Sequence, residues 1–205
     1  MAELNQAKQF LKAEFLREAH IVDLEKGYVS AASFNLRMKP SVLKAGATLI
    51  VEEFQSDGIE VIHGIPHSGV YLATAVSLTM PGDVRLHSSR KDQHIPAVWK
   101  DVCRQEIRSY TSSKGGIDVF SGITLSFVKK GDRVLLIDDV CATGQTAYQI
   151  IQGLQEKGVE VVGFAVMFDK LFQGGLEYVR SLGVKTFSCV TIKVLNDNDR
   201  VILQP

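Results

Sequence analysis

Over the first 20 residues, "MAELNQAKQFLKAEFLREAH", Phe10, Leu11, Phe15 and Leu16 recur at helical spacing with charges opposite them. That pattern predicts an amphipathic helix. A second helical pattern, "SVLKAGATLIVEEF", follows Pro40 and runs to about Gln55, with the proline in a first-turn position. "IEVIHGIP" then predicts a buried strand ending in a Gly-Pro turn, and "SGVYLATAVSL" a helix of small and apolar residues. The strand–turn–helix unit repeats. "VRLHSSRK" is a short strand ending in a basic cluster. "RVLLIDD" is a strand, "CATGQT" a turn, and "AYQIIQGLQEKG" a helix stopped by Gly158. "VEVVGFAVMFD" is another strand, "GGLEYVRSLG" a helix closed by Gly183, and "VKTFSCVTI" the last strand. Buried strands alternating with helices predict an α/β fold, a mostly parallel sheet with helices on both faces. In such sheets ligands bind beyond the carboxyl ends of the strands.

The stretch from Asp92 to Phe127 breaks the pattern. It is polar, holds "SYTSSKGG" at residues 109 to 116, and alternates only in "IDVFSGITLSF". We read it as a long excursion carrying a hairpin, expected to move, since long loops in compact domains are usually functional or disordered. No repeat at a fixed period and no linker-like run of Pro, Ser or Gly interrupts the 205 residues, so a single domain over 1–205 is expected.

Composition narrows the function classes. Lys plus Arg and Asp plus Glu both total 23, which gives no indication of nucleic acid binding. Hydrophobic residues at 45% and charged residues at 22% suit a globular chain, and no stretch approaches the roughly 20 apolar residues that span a bilayer. The N-terminus has no signal-peptide pattern. Cys103, Cys141 and Cys189 are odd in number and widely spaced, fitting neither a metal clamp nor a disulfide framework, so reduced thiols in the cytoplasm are expected.

Within "VLLIDDVCATGQTA", residues 134 to 147, Asp138 and Asp139 stand side by side at a strand end. Two adjacent like charges repel, and neither favours a strand, so a partner that is positive or rich in hydroxyls is implied. Ala142, Thr143, Gly144, Gln145 and Thr146 follow, small or hydroxyl-bearing, and end where a helix begins. Such a turn aims amides and hydroxyls at one point, where the helix dipole adds positive charge: a phosphate cradle. A phosphate site beside a carboxylate pair suits a sugar phosphate, with ribose hydroxyls donating to Asp138 and Asp139. Neither G-x-x-x-x-G-K-[ST] nor G-x-G-x-x-G occurs.

This stretch resembles the phosphoribosyl pyrophosphate signature of the type I phosphoribosyltransferases. "GIPHSGVYLA", residues 64 to 73, is similar to that family's pyrophosphate loop, where the amides of His67, Ser68 and Gly69 would face the leaving group; alone it reads equally well as a turn before a helix. "SSRK" supplies Arg90 and Lys91, apt for pyrophosphate charge or simply a solvated edge. The region from about Tyr28 to Ile192 is similar to the xanthine phosphoribosyltransferases, notably in "IRSYTSSKGGIDVFSGITLSFVKKGDRVLLIDD" and "VVGFAVMFDKLFQGGLEYVRSLGVKTFSCVTI". By that resemblance Asn35 and Lys170, with Tyr28, contact the base. From the residues alone, Asn35 reads as a turn residue and Lys170 as a surface charge.

Departures keep the base open. The xanthine enzymes carry Phe-Leu-Ala-Asn-Gly-Gln after the acidic pair, where this chain has "VCATGQ", and they have a His-Gln pair that "FNLRMKP" lacks. "FNLRMKP" and "FDKLFQGG" are also similar to orotate phosphoribosyltransferases, whose shorter Lys- and His-marked loop is absent between Lys91 and Arg133. The resemblance implies a type I phosphoribosyltransferase fold with a small base-binding hood, from about 1–40 and 190–205. It implies a Mg²⁺-dependent pentosyl transfer from phosphoribosyl pyrophosphate to a purine, xanthine or another 6-oxopurine, in nucleotide salvage by a cytoplasmic homodimer. A loop around Tyr110, Thr111, Ser112 and Lys114 would close over the site, and no direct protein ligand to the metal is assigned. Orotate or adenine as acceptor, and a non-catalytic phosphoribosyl pyrophosphate sensor, are the alternatives; no basic N-terminal helix pair favours the sensor.

Overall fold

The computed structural model describes residues 1–88, 90–91, 102–108, 120–126, 128–196 and 200–204. The chain opens with α1 (Ala2–Glu18), then a hairpin of β1 (His20–Asp23) and β2 (Tyr28–Ser30), then α2 (Ala32–Asn35) and α3 (Pro40–Phe54). Next come β3 (Val61–Gly64), α4 (Gly69–Thr79), β4 (Arg85–Ser88), β5 (Arg90–Lys91), β6 (Val102–Arg108) and β7 (Phe120–Ser126). The second half holds β8 (Arg133–Cys141), α5 (Gln145–Glu156), β9 (Glu160–Lys170), α6 (Gly175–Arg180), β10 (Lys185–Asn196) and β11 (Arg200–Leu203).

The main sheet has strand order β11-β10-β9-β8-β3-β4. Its pairs from β4 to β10 are parallel, and β11 closes one edge antiparallel to β10. From β3 the chain winds outward to β4, and from β8 it winds the opposite way through β9 to β10. The reversal lies between β3 and β8, so the crevice for a ligand is the one beyond Gly64 and Asp138. β6 and β7 form the expected hairpin, joined by β5 in a separate antiparallel sheet.

Two apolar layers sandwich the main sheet. On one face Leu11 and Phe15 of α1, Phe34 of α2, Ile50 and Phe54 of α3 and Leu72 of α4 are buried against Ile62, Met167 and Phe168. On the other, Ile150, Ile151 and Leu154 of α5 and Val179 of α6 meet Leu136, Phe164 and Val166. Gly163 has no room for a side chain, since a Cβ there would fall on the Phe54 ring. The end of α1 is tied down by charge. Lys39 donates to Glu14 at 2.6 Å and to Glu18 at 2.8 Å, and Glu18 also accepts the Ser33 amide at 2.9 Å. The Lys39 ammonium, followed by Ser33, lowers the Glu18 carboxyl to about 2.

Five sequence expectations need correction. Phe10 and Leu16 are exposed, at 36% and 53%. Successive helical residues point about 100° apart, so only Leu11 and Phe15 reach the core. β8 does not end with the acidic pair and leave Cys141 to the turn; it runs on to Cys141, because β9 is long enough to pair Asp138 with Val166 and Cys141 with Asp169. Arg90 and Lys91 do not end the parallel strand; they form β5, in register with Thr124 and Ile123 of β7. β10 is not the last strand, and the β1–β2 hairpin was not foreseen. Tyr110, Thr111, Ser112 and Lys114 lie outside the described residues. Among the described residues no helix is long and apolar enough to cross a membrane.

Candidate active site

Three carboxyl-end segments converge at the reversal point: the loop after β3, the end of β8 with its following turn, and the end of β9. With the β1–β2 hairpin and α2 they enclose a cleft of about 710 Å³. Of the sequence-predicted residues, Tyr28, Asn35, His67, Ser68, Asp138, Asp139, Ala142, Thr143, Gly144, Gln145, Thr146 and Lys170 line it. Gly69 does not line it but packs against Asp138. Arg90 and Lys91 are placed by their backbone alone, in β5.

The loop after β3 lies on the acidic pair. A Cβ at Gly69 would sit 2.8 Å from both the Asp138 Cα and Oδ1, so only glycine lets α4 begin this close to β8. The Ser68 hydroxyl donates to the Asn35 carbonyl at 2.6 Å, fixing α2 to the start of α4. The peptide between Pro66 and His67 is cis. Asp138 Oδ1 accepts the Asp139 amide at 2.9 Å. Burial raises the Asp139 carboxyl, so its anion is short of solvation and suited to a hydroxyl donor or cation.

The turn after β8 enters α5 through Gly144, whose φ of 74° lies in the left-handed region. Among the described residues no side chain caps this helix. Its first-turn amides, which no helix can bond internally, stand at the cleft wall formed by residues 144–147, with the positive end of the dipole. Tyr148 begins the helical pattern, its amide donating to Gly144 O at 2.8 Å. An anion is the natural occupant.

At the other end, Lys170 is only 7% exposed. Its Nζ donates to Gly27 O at 2.9 Å and lies 5.9 Å from the centre of the Tyr28 ring. Burial lowers its pKa. One N–H of the ammonium is used on Gly27, leaving donor capacity beside the cleft. Sequence reasoning missed what holds this end together. Gln173 Nε2 donates to Lys26 O at 3.3 Å, and a Cβ at Gly27 would sit 2.7 Å from the Phe172 ring. The hairpin turn, which brings Val22, Asp23 and Lys26 to the cleft, is thus docked on residues 170–173. Two short strands around "LEKG" were the only available signal. Asp169, next in line, is buried and pushed up to about 6, and its charge adds to the burial that raises the Cys141 thiol.

Comparisons with known proteins agree with this layout. The chain is 29% identical over 154 residues to a xanthine phosphoribosyltransferase of Streptococcus pyogenes serotype M5 (strain Manfredo), spanning 74% of this chain and 76% of that one. An adenine phosphoribosyltransferase from Trypanosoma brucei, solved with AMP, pyrophosphate and ribose-5-phosphate, matches with a TM-score of 0.72 at 20% identity, over 93% of this chain and 83% of that one. An orotate phosphoribosyltransferase from Mycobacterium tuberculosis H37Rv matches at 0.64 and 19%, over 90% and 96%. These two structural likenesses speak for the fold. The model of the phosphoribosyl transferase domain matches residues 35–194, which include the loop after β3, the acidic pair, the phosphate-type turn and Lys170, and the chain therefore belongs to the type I phosphoribosyltransferases.

Proposed function

We propose that the protein transfers phosphoribosyl from phosphoribosyl pyrophosphate to a 6-oxopurine, xanthine or a close relative, in purine salvage. The observation that carries the base assignment is Lys170, a buried donor-only group at the cleft end opposite the phosphate turn. An ammonium suits a ring carbonyl and repels an exocyclic amine. The curated relative named as a xanthine enzyme supports the same choice. In this reading the turn from Ala142 to Thr146 holds the 5′-phosphate with main-chain amides, and Asp138 and Asp139 hold the ribose hydroxyls. The carboxylates favour positive charge on the ribose as its bond to pyrophosphate breaks. The amides of His67, Ser68 and Gly69, with Arg90 and Lys91, receive the leaving group. Asn35 and Tyr28 complete the base pocket, and the loop at Tyr110, Thr111, Ser112 and Lys114 shields the site from water.

Mg²⁺ fits the donor set. Asp138 and Asp139 offer hard carboxylate oxygens at the cleft, while among the described residues no three His, Cys, Asp or Glu groups gather as a protein cage. That suits an ion held largely by substrate oxygens and water. When bound, it would neutralise charge on the departing pyrophosphate. A homodimer in the cytoplasm, acting on small molecules without nucleic acid or membrane, completes the proposal. The test is product formation by the pure protein with phosphoribosyl pyrophosphate, Mg²⁺ and each nucleobase in turn. Turnover with xanthine, hypoxanthine or guanine well above adenine and orotate is expected. Preference for adenine or orotate overturns the base assignment, and no transfer to any base overturns the enzymatic one.

A further inference from the structure

We propose that Gly175, which does not line the cleft, is a positioning residue for the phosphate turn, and that the start of α6 is the support on which that turn is built. The proposal rests on the assignment of residues 142–146 to the 5′-phosphate. After Lys170 the chain makes a 3₁₀ turn over Leu171–Gln173, turns through Gly174 at φ +72°, and enters α6 at Gly175. Gly175 is buried. The space where its side chain would be is occupied by the back of the phosphate turn. A Cβ there would collide with Ala142 O, and would lie 2.6 Å from Cys141 Sγ and 2.7 Å from the Gly144 nitrogen. The contact is reciprocal: a Cβ at Gly144 would collide with Gly175 O and lie 3.0 Å from its carbonyl carbon and Cα. Residues 142–144 therefore rest on Gly175 backbone against backbone.

A second contact clamps the same two helices one turn further on. The rings of Tyr148 in α5 and Tyr178 in α6 stack at 4.2 Å with 8° between their planes. Each hangs from its own glycine turn, since the Tyr148 amide donates to Gly144 O at 2.8 Å and the Tyr178 amide to Gly174 O at 3.0 Å. The glycine contact sets how closely the two helix starts approach, and the aromatic stack sets their angle. A cradle made of main-chain amides has no side chain that can readjust, so any displacement of the turn goes directly into donor distances. A shift on the order of 1 Å in such a site can cost about a hundredfold in rate or affinity. Gly175 thus acts on the phosphate through Ala142 and Gly144.

The experiment compares Gly175→Ala with Gly174→Ala. Gly174 has the left-handed φ but open space around a Cβ, so its replacement strains the chain without pressing on the turn. Steady-state kinetics, melting temperature and calorimetric binding of ribose 5-phosphate are measured for both. We expect Gly175→Ala to raise the KM for phosphoribosyl pyrophosphate at least about tenfold, to weaken ribose 5-phosphate in parallel, and to leave the KM for the base nearly unchanged. Gly174→Ala should lower the melting temperature alone. Should Gly175→Ala fail to fold, Tyr178→Ala and Tyr178→Phe replace it: alanine should raise the same KM and phenylalanine, which keeps the stack, should restore it. Equal KM values for phosphoribosyl pyrophosphate in Gly175→Ala and wild type, or in both Tyr178 variants and wild type, overturn the proposal. A wild type that binds ribose 5-phosphate but transfers to no base ends the enzymatic reading instead, and the calorimetric arm still decides the role of Gly175.

Discussion

Replacing Lys170 with Met keeps the length of the stem and removes the ammonium. If Lys170 donates to the purine carbonyl, the variant loses one charge-assisted hydrogen bond in a closed site. Such a bond is worth about 2–3 kcal/mol, or a factor of roughly thirty to a hundred and fifty in kcat/KM for the base. The Lys170 ammonium also donates to Gly27 O, which is buried and loses its donor in the variant. An unpartnered carbonyl costs about 1–3 kcal/mol, partly offset because a desolvated ammonium is no longer buried. The hairpin turn keeps its second tether, from Gln173 to Lys26 O. Stability should therefore fall modestly while base use falls steeply. The assay is kcat/KM with xanthine, hypoxanthine, guanine and adenine, with the KM for phosphoribosyl pyrophosphate and the melting temperature measured alongside. Gln173→Leu is the control: it loosens the same turn and keeps the ammonium. If Gln173→Leu reproduces the loss, Lys170 works by holding the hairpin. If Lys170→Met treats 6-oxopurines as wild type does, the base assignment is wrong.

Asp138→Asn and Asp139→Asn keep shape and remove charge, so turnover should fall more than affinity for phosphoribosyl pyrophosphate; a change in affinity alone would make them binding groups only. Phe15→Ala removes a fully buried ring that packs 5.0 Å from Phe34 and 5.1 Å from Phe168, and should cost about 3–5 kcal/mol in urea unfolding. His63 is buried, and burial, then the charge of His87, lowers it to about 3. The unfolded chain then binds a proton that the folded chain refuses, so this group's stability is complete above the ordinary histidine value of 6.5 and is lost as pH falls toward about 3. Between pH 6.5 and roughly 5 the wild type should lose about 2 kcal/mol relative to His63→Leu. Asp169, raised to about 6, acts with the opposite sign and is common to both chains. Parallel stability curves over that window would refute the assignment.

The central strands β3, β8 and β9 were legible because they are buried on both faces, and continuous apolar runs such as "VLLI" and "VVGFAVMF" have no other use. Short elements paired with distant or exposed partners were not. β1 alternates exposed and half-buried residues, β2 buries only Val29, and β11 depends on its register with β10. Local periodicity carries little of that. The same limit explains Lys170. At the end of a strand a lysine reads as a solvated charge, and only topology brings the β1–β2 turn over it.

Gly144 shows how far a motif can be read. Its place before a helix marked a phosphate turn, which suggests that Gly144→Val should abolish substrate binding and spare the fold. The packing changes that expectation. Valine would be strained at φ +74°, and its Cβ would strike Gly175 O before any phosphate arrived. Loss of binding in that variant would report a displaced α6 as readily as a blocked phosphate. The acidic pair is the converse case, where structure sharpens the reading. Asp138 lies against Gly69 at the start of α4, and both carboxylates line the cleft within the last residues of β8, just before the turn into α5. If the proposed role holds, two in sequence give a ribose diol two acceptors between the pyrophosphate-type loop and the phosphate-type turn, which is a physical reason for the chain to hold two repelling charges side by side.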